Sequence, residues 1–181
     1  MNIENTLNYG ICILKANKIP NPYLDSEILL SESIKKDKKH IILNSKEILS
    51  RKQLDSFNDF IERRKKGEPI AYLIKKKEFW KDEFYISKDV LIPRPDTELI
   101  VEQVLKIYSQ ESQLQVLDIG TGSGCILLSI LKERLNFYGT GIDISKKSIN
   151  VSKFNADKLH LTNRTKFIHS SVDNFKIGKY D

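Results

Sequence analysis

Residues 116–124 (Val-Leu-Asp-Ile-Gly-Thr-Gly-Ser-Gly) constrain the fold of this chain more than any other stretch. Apolar residues lead into an acid, three glycines alternate within five positions, and an apolar stretch at helical spacing follows over 126–131. This order predicts a buried strand, a tight loop almost free of side chains, and a helix. Asp118 then lies near the carboxyl end of the strand, where open α/β sheets bind ligands. The pattern is typical of a loop that holds a nucleotide-like cofactor against the main chain.

The rest of the sequence predicts two regions that differ in secondary structure. From residue 114 onward, predicted strands (114–119, 138–142, 165–169) alternate with predicted helices (about 123–134 and 145–160), which indicates an α/β fold with a parallel, doubly wound sheet. Before it, helical spacing predicts helices over 3–16, about 22–35 after an Asn21 cap, and about 50–66. Residues 78–86 predict a β-hairpin, and residues 98–108 predict a helix capped by Asp96 or Thr97. We therefore predict a small all-helical domain (1–70), a hairpin linker (71–90) and an α/β domain (91–181).

Composition excludes several classes of protein. No apolar run approaches the roughly 20 residues that cross a bilayer, so we expect no membrane association. The two cysteines, Cys12 and Cys125, have no disulfide or metal-ligand spacing, which favours a reduced, cytoplasmic setting and no metal site. The net charge of +6 is concentrated in residues 35–81, where 15 Lys and Arg face 7 Asp and Glu. This segment is either a solvated surface or an attractor of RNA or an acidic partner.

The glycine spacing separates two cofactor classes. Nicotinamide-binding loops space their glycines as G-x-G-x-x-G, whereas residues 120–124 read G-x-G-x-G and resemble the first motif of S-adenosylmethionine-dependent methyltransferases. Asp143 closes the second predicted strand, where an acid can accept both hydroxyls of a ribose. Asp118 and Asp143 also have a plainer interpretation as caps of the helices that follow them.

Three further motifs make the resemblance specific. They are Gly-Glu-Pro-Ile-Ala-Tyr-Leu (67–73), Glu-Phe-Trp (78–80) and Leu-Ile-Pro-Arg-Pro-Asp-Thr-Glu (91–98), in this order before the glycine loop. Together they resemble the consecutive signatures of the HemK/PrmC family, the peptide chain release factor N5-glutamine methyltransferases. The similarity covers essentially all 181 residues.

The resemblance implies a fold, a reaction and a partner. The fold would be a Rossmann-like class I S-adenosyl-L-methionine-dependent methyltransferase domain, incomplete here, preceded by a small all-helical domain that docks the substrate. The enzyme would methylate the side-chain amide nitrogen of the glutamine in the Gly-Gly-Gln tip of release factors, a protein methylation that acts on translation termination. The partner would be the release factor, and direct nucleic-acid binding is the less favoured alternative.

The resemblance also implies site residues, matched position by position. The cofactor-binding set would be Asp118, Gly120, Thr121, Gly122, Ser123, Gly124 and Asp143, with Ser171 and Val172 near the adenine. The family often has an acid and an aromatic residue at these last two positions, so side-chain contact with the adenine is less specified here. Arg94, Pro95 and Thr97 would lie on the substrate side, near the mouth of the site.

No catalytic residue is assigned, because the family's Asn-Pro-Pro-Tyr motif does not occur in the sequence. We expect that motif just beyond Asp181, so the sequence is interpreted as a truncated chain that is inactive alone. Three alternatives stay open at this point. They are an N6-adenine methyltransferase acting on DNA or RNA, a nicotinamide oxidoreductase, and a fragment that only binds cofactor or a partner.

Overall fold

The computed structural model describes residues 1–181 and divides into two compact units, Met1–Ile74 and Lys75–Asp181. The first unit is all-helical, as predicted. Its helices are α1 (Ile3–Ala16), α2 (Pro22–Ile34), α3 (Lys38–Leu43), α4 (Arg51–Lys65) and α5 (Ile70–Ile74). The short helices α3 and α5 were not predicted, because five or six residues give no helical period to detect.

Apolar residues at helical spacing form the core of the helical unit. Phe57 and Ile61 of α4 are buried, and a Cβ atom placed on Gly10 of α1 would lie 2.6 Å from the Phe57 ring. Helix α4 begins with a capping box between Ser50 and Gln53. It is followed by Gly67, whose φ of +89° ends the helical path.

The second unit opens with a β-hairpin. Strands β1 (Lys76–Phe79) and β2 (Asp82–Tyr85) pair antiparallel around a two-residue turn, in which Trp80 takes a φ of +57°. The buried rings of Phe79 and Phe84 meet edge to face with centroids 6.2 Å apart. The hairpin therefore has its own apolar contact and belongs to the α/β unit.

The remainder of this unit alternates helices and strands, which confirms the predicted α/β architecture. The elements are α6 (Glu98–Ile107), β3 (Gln115–Ile119), α7 (Cys125–Glu133), β4 (Tyr138–Asp143), α8 (Lys146–Lys158) and β5 (Thr165–His169). The three strands β3, β4 and β5 are parallel and adjacent in that order. Because the strands run in one direction, the carboxyl ends of β3 and β4 lie side by side, with Ile119 opposite Ile142.

Two predicted caps are wrong in detail. Asn21 precedes α2 and Thr97 precedes α6, but neither side chain accepts a capping hydrogen bond. Pro22 at the start of α2 already removes one backbone donor, and Thr97 lies in a 3-10 turn formed by Pro95–Thr97, so its backbone is helical before α6 begins. None of the helices is both long enough and apolar enough to span a bilayer.

Candidate functional site

The candidate site is the loop between β3 and α7. Its three glycines, Gly120, Gly122 and Gly124, have φ values of +76°, +55° and +80°. The loop is fixed to the neighbouring strand, because the N–H groups of Gly120 and Thr121 both donate to the Ile142 carbonyl, at 2.9 and 3.0 Å. The left-handed backbone that the glycines permit is therefore built into the connection between strand and helix.

The glycines serve two different purposes. A Cβ atom at Gly124 would lie 3.1 Å from Leu128 Cδ1 and 3.2 Å from Ser152 Cβ, so this glycine lets α7 and α8 pack closely. A Cβ atom at Gly120 would meet nothing within 4 Å, and one at Gly122 would meet only the Gly120 carbonyl oxygen at 3.9 Å. The main chain at Gly120 and Gly122 is thus open on the side where a ligand can lie against it.

Asp118, near the end of β3, stabilises the loop through a hydrogen bond to Thr121. Its Oδ2 atom accepts a 2.7 Å hydrogen bond from the hydroxyl of Thr121, which is buried. Burial raises the pKa of the Asp118 carboxyl, the Thr121 hydrogen bond opposes that shift, and the nearby charge of Asp143 adds to it. Asp118 therefore holds the turn of the loop through Thr121 and does not cap helix α7.

Asp143 connects the end of β4 to the loop. Its Oδ2 atom accepts from the Gly122 N–H at 3.0 Å, and its Oδ1 atom accepts from the Ser145 N–H at 2.8 Å. Helix α8 is instead capped by the hydroxyl of Ser145, which accepts from Ser148 N–H. Each carboxylate oxygen has more than one lone pair, so the half-buried Asp143 retains capacity to accept two hydroxyl groups.

The end of β5 lies beside the same position. The Ser170 N–H donates to the Asp143 carbonyl at 3.1 Å. Ser171 is half-buried, with its hydroxyl accepting from Asn174 N–H at 3.3 Å, whereas the Val172 side chain is 53% exposed. The backbone thus brings residues 170–172 to the carboxyl edge of the sheet next to Asp143.

Sequence reasoning missed Ile144. This apolar residue follows Asp143 directly and is 77% exposed, which is unusual for an isoleucine at the end of a central strand. Its carbonyl lies 2.9 Å from the Nε2 atom of His169 at the end of β5. An apolar residue after the terminal acid of a strand is the signal that could have identified it.

The predicted substrate-side residues lie apart from this constellation. Arg94 and Pro95 are exposed, Thr97 is half-buried, and the only hydrogen bond among them runs from the Thr97 N–H to the Arg94 carbonyl at 3.1 Å. No hydrogen bond or ion pair joins this turn to residues 118–124. Its anchor is Glu98, whose Oε1 atom accepts from the Trp80 N–H at 2.8 Å.

A concavity of about 410 Å³ lies elsewhere on the unit, along β4, β5 and residues 177–180. It includes Tyr138, Gly139 and Thr140, which belong to the amino-terminal half of β4, and none of the glycine-loop residues. Ligands of open α/β sheets bind outside the carboxyl ends of the strands. The geometry therefore favours the glycine loop, with Asp118 and Asp143, as the functional site.

Comparison with known proteins gives matches to both units. Residues 5–74 match the family model of the PrmC N-terminal domain, and residues 110–181 match that of a methyltransferase domain. A release factor glutamine methyltransferase of Buchnera aphidicola (subsp. Baizongia pistaciae) is 44% identical over 96% of this chain and 64% of its own length. A protein with the same name from Caulobacter vibrioides is 38% identical over 86% of this chain and 54% of its own length.

Two further comparisons complete the set. A bifunctional methyltransferase of Rickettsia bellii is 37% identical over 99% of this chain and 37% of its own length. A solved S-adenosylmethionine-dependent methyltransferase from Thiobacillus denitrificans, in complex with S-adenosyl-L-homocysteine, is 30% identical over 44% of this chain and 37% of that chain, with a TM-score of 0.31. The chain spans between about one third and two thirds of the length of these curated relatives.

Proposed function

Because this chain belongs to the PrmC family of methyltransferases, we propose that it forms the cofactor-binding part of a release-factor methyltransferase. The reaction is the transfer of a methyl group from S-adenosylmethionine to the side-chain amide nitrogen of the glutamine in a Gly-Gly-Gln motif. The observation that supports this most is the open main chain at Gly120 and Gly122 beside the Asp143 carboxylate. A nucleoside with a vicinal diol fits such a surface.

The residues present fit this cofactor. Gly120 and Gly122 supply an open backbone for the methionine part, while Gly124 and the buried Thr121 and Ser123 would hold that loop in shape. Asp143 accepts the ribose hydroxyls. Asp118 holds the loop through Thr121 and supplies a negative charge on the side of the ammonium group.

The adenine lies against the ends of β4 and β5 in this proposal. Ile144 and Val172 present exposed aliphatic surface there, and Ser171 adds a hydroxyl. Covering these apolar side chains with a flat base removes apolar surface from water, which favours binding. The adenine is then selected mainly by shape and apolar contact.

The chemistry sets what the rest of the enzyme has to supply. The bound cofactor supplies an electrophilic methyl group on a sulfonium. The glutamine amide nitrogen is a weak nucleophile, because its lone pair is delocalised into the carbonyl, so the protein must hold the NH₂ group by acceptors and aim it at the methyl carbon. No Asn-Pro-Pro-Tyr sequence occurs among the 181 residues. We therefore expect residues 1–181 to bind S-adenosylmethionine without catalysing methyl transfer.

The partner of the helical unit in this proposal is the release factor. Residues 35–74 of the basic segment lie in this unit and hold 11 Lys and Arg against 6 Asp and Glu, a charge excess suited to an acidic region of a protein partner. The reaction then takes place in the cytoplasm, where release factors act in translation termination.

A methyl-transfer assay tests the proposal. Residues 1–181 are joined to the part of the Buchnera relative that lies beyond the matched region, and the fusion is incubated with radiolabelled S-adenosylmethionine. We expect label in a release factor with Gly-Gly-Gln and none in the same factor with Gly-Gly-Ala. Residues 1–181 alone should give no label. Label in DNA or RNA with none in the release factor would contradict the proposed substrate.

A further inference from the structure

One face of helix α8 carries a row of polar side chains that is turned inward. Ser148, Ser152 and Asn155 are all buried, at 4%, 0% and 0% exposure, and the exposed Lys158 follows them at the same spacing. Residues spaced by three or four positions lie on one face of a helix. This face packs against the hairpin segment and the glycine loop.

Asn155 uses its amide on both of these elements. Its Nδ2 group donates to the Ser123 carbonyl at 2.9 Å and to the Tyr85 carbonyl at 3.0 Å. Its Oδ1 atom accepts from the Tyr85 N–H at 2.8 Å. Three hydrogen bonds from one fully buried amide therefore join the end of β2 to the last turn of the glycine loop.

The Tyr85 contacts continue along the edge of β2. The Lys158 ammonium donates to the Glu83 carbonyl at 2.9 Å and to the Glu83 carboxylate at the same distance. Asn155 and Lys158 thus cover the edge of β2 that does not pair with β1, which satisfies backbone groups that an open sheet edge leaves exposed. Only Asn155 also reaches the loop.

The hydrogen bond from Asn155 to Ser123 lies at the last turn of the glycine loop. Ser123 is buried and stands directly before Gly124, whose N–H donates to the Thr121 carbonyl at 2.8 Å. No other donor bonds to the Ser123 carbonyl, so removing the Asn155 amide would leave a buried acceptor unpaired. The loop would then have to rearrange to reach water or another donor.

We propose that Asn155 is a positioning residue that holds the glycine loop in its cofactor-binding conformation and couples the loop to the hairpin. Asn155 does not touch the ligand in this account; it acts through Ser123. The inference rests on the proposed cofactor function of the loop. Loss of the Asn155 amide should therefore lower cofactor affinity, whereas loss of a hairpin contact that does not involve Asn155 should not.

The test compares Asn155→Ala with Lys158→Met in the 181-residue chain. We expect Asn155→Ala to weaken S-adenosyl-L-homocysteine binding by about tenfold in calorimetric titration, because one of the three hydrogen bonds it removes is the one that holds the loop at Ser123. Lys158→Met, which removes the hairpin contact without touching the loop, should stay within about twofold. Equal affinity losses in the two variants, at temperatures where both are folded, would overturn the proposal.

Native-state hydrogen exchange on the unaltered chain gives a second readout that needs no variant. We expect the Tyr85 and Gly124 amides to open with the same free energy and the same dependence on denaturant. Independent opening of the two amides would overturn the coupling whatever the variants do. This measurement is made without ligand, so a wild-type chain that fails to bind S-adenosyl-L-homocysteine refutes the proposed function and leaves the coupling to be decided by exchange alone.

Discussion

The Oδ2 atom of Asp143 lies 3.0 Å from the backbone nitrogen of Gly122 and accepts its N–H. This contact joins the carboxyl end of β4 to the middle of the loop that leaves β3. The carboxylate is consequently held in place before any ligand arrives, with its other oxygen fixed by Ser145 N–H at 2.8 Å. An acid that is held this way loses little side-chain freedom on binding a ribose, which favours affinity.

We expect Asp143→Asn to weaken cofactor binding by tenfold or more, because it removes the charge from both hydroxyl contacts and leaves one of two backbone N–H groups without an acceptor. The free energy of unfolding should fall by about 1–3 kcal/mol. Calorimetric titration and chemical denaturation measure the two effects. Asp157→Asn is the matched control, since Asp157 is exposed on α8 and its side chain has no partner. Unchanged affinity in Asp143→Asn would exclude Asp143 from the site.

The glycines of the loop should separate stability from binding. Alanine at a left-handed position costs about 1–2 kcal/mol, so Gly120→Ala and Gly67→Ala should be destabilised alike. Both positions have positive φ and open space around a Cβ atom, but Gly67 lies in the helical unit. We expect only Gly120→Ala to lose cofactor affinity. Gly124→Ala should be the least stable of the three, because its Cβ atom would also press on Leu128 and Ser152. Similar cofactor affinities for Gly120→Ala and Gly67→Ala would contradict the proposal that the cofactor binds against the open main chain at Gly120.

The raised pKa of Asp118 makes stability depend on pH. Between its ordinary value of 3.8 and the higher value in the folded chain, the folded state binds more protons than the unfolded state, so stability falls as pH rises through this window. Asp118→Asn should therefore raise the melting temperature near pH 7. The difference in melting temperature from the unaltered chain should become smaller as the pH is lowered toward 4. It should also weaken S-adenosylmethionine binding, because the charge opposite the ammonium group is lost. A melting temperature at pH 7 below that of the unaltered chain would contradict the first expectation.

Much of this site could be predicted from sequence because its signals are local. The alternating glycines, the acid ahead of them and the acid closing the next strand each follow from a few neighbouring residues. The same holds for the end of α4, which was predicted near residue 66 and lies just before Gly67. Asn155 could not be found this way, because an asparagine in the middle of a helix ordinarily reads as exposed. Its role depends on Tyr85 and Ser123, which lie 70 and 32 positions away in sequence.

The two cysteines should react at very different rates. Burial raises the pKa of the Cys125 thiol to about 11, so only about 0.1% of it is thiolate at pH 8. Cys12 is exposed on α1. We expect iodoacetamide at pH 8 to modify Cys12 at least about tenfold faster than Cys125, as measured by peptide mass mapping. Comparable rates would mean that the start of α7 opens readily in solution.

The most direct test of the central claim is calorimetric titration of the 181-residue chain with S-adenosyl-L-homocysteine, with NAD as the comparison ligand. The open main chain between Gly120 and Gly122, with Asp143 beside it, predicts one saturable site for the methyl-donor nucleoside and none for the dinucleotide. A folded chain that takes up NAD, or that shows no heat with S-adenosyl-L-homocysteine at millimolar concentration, would contradict the account.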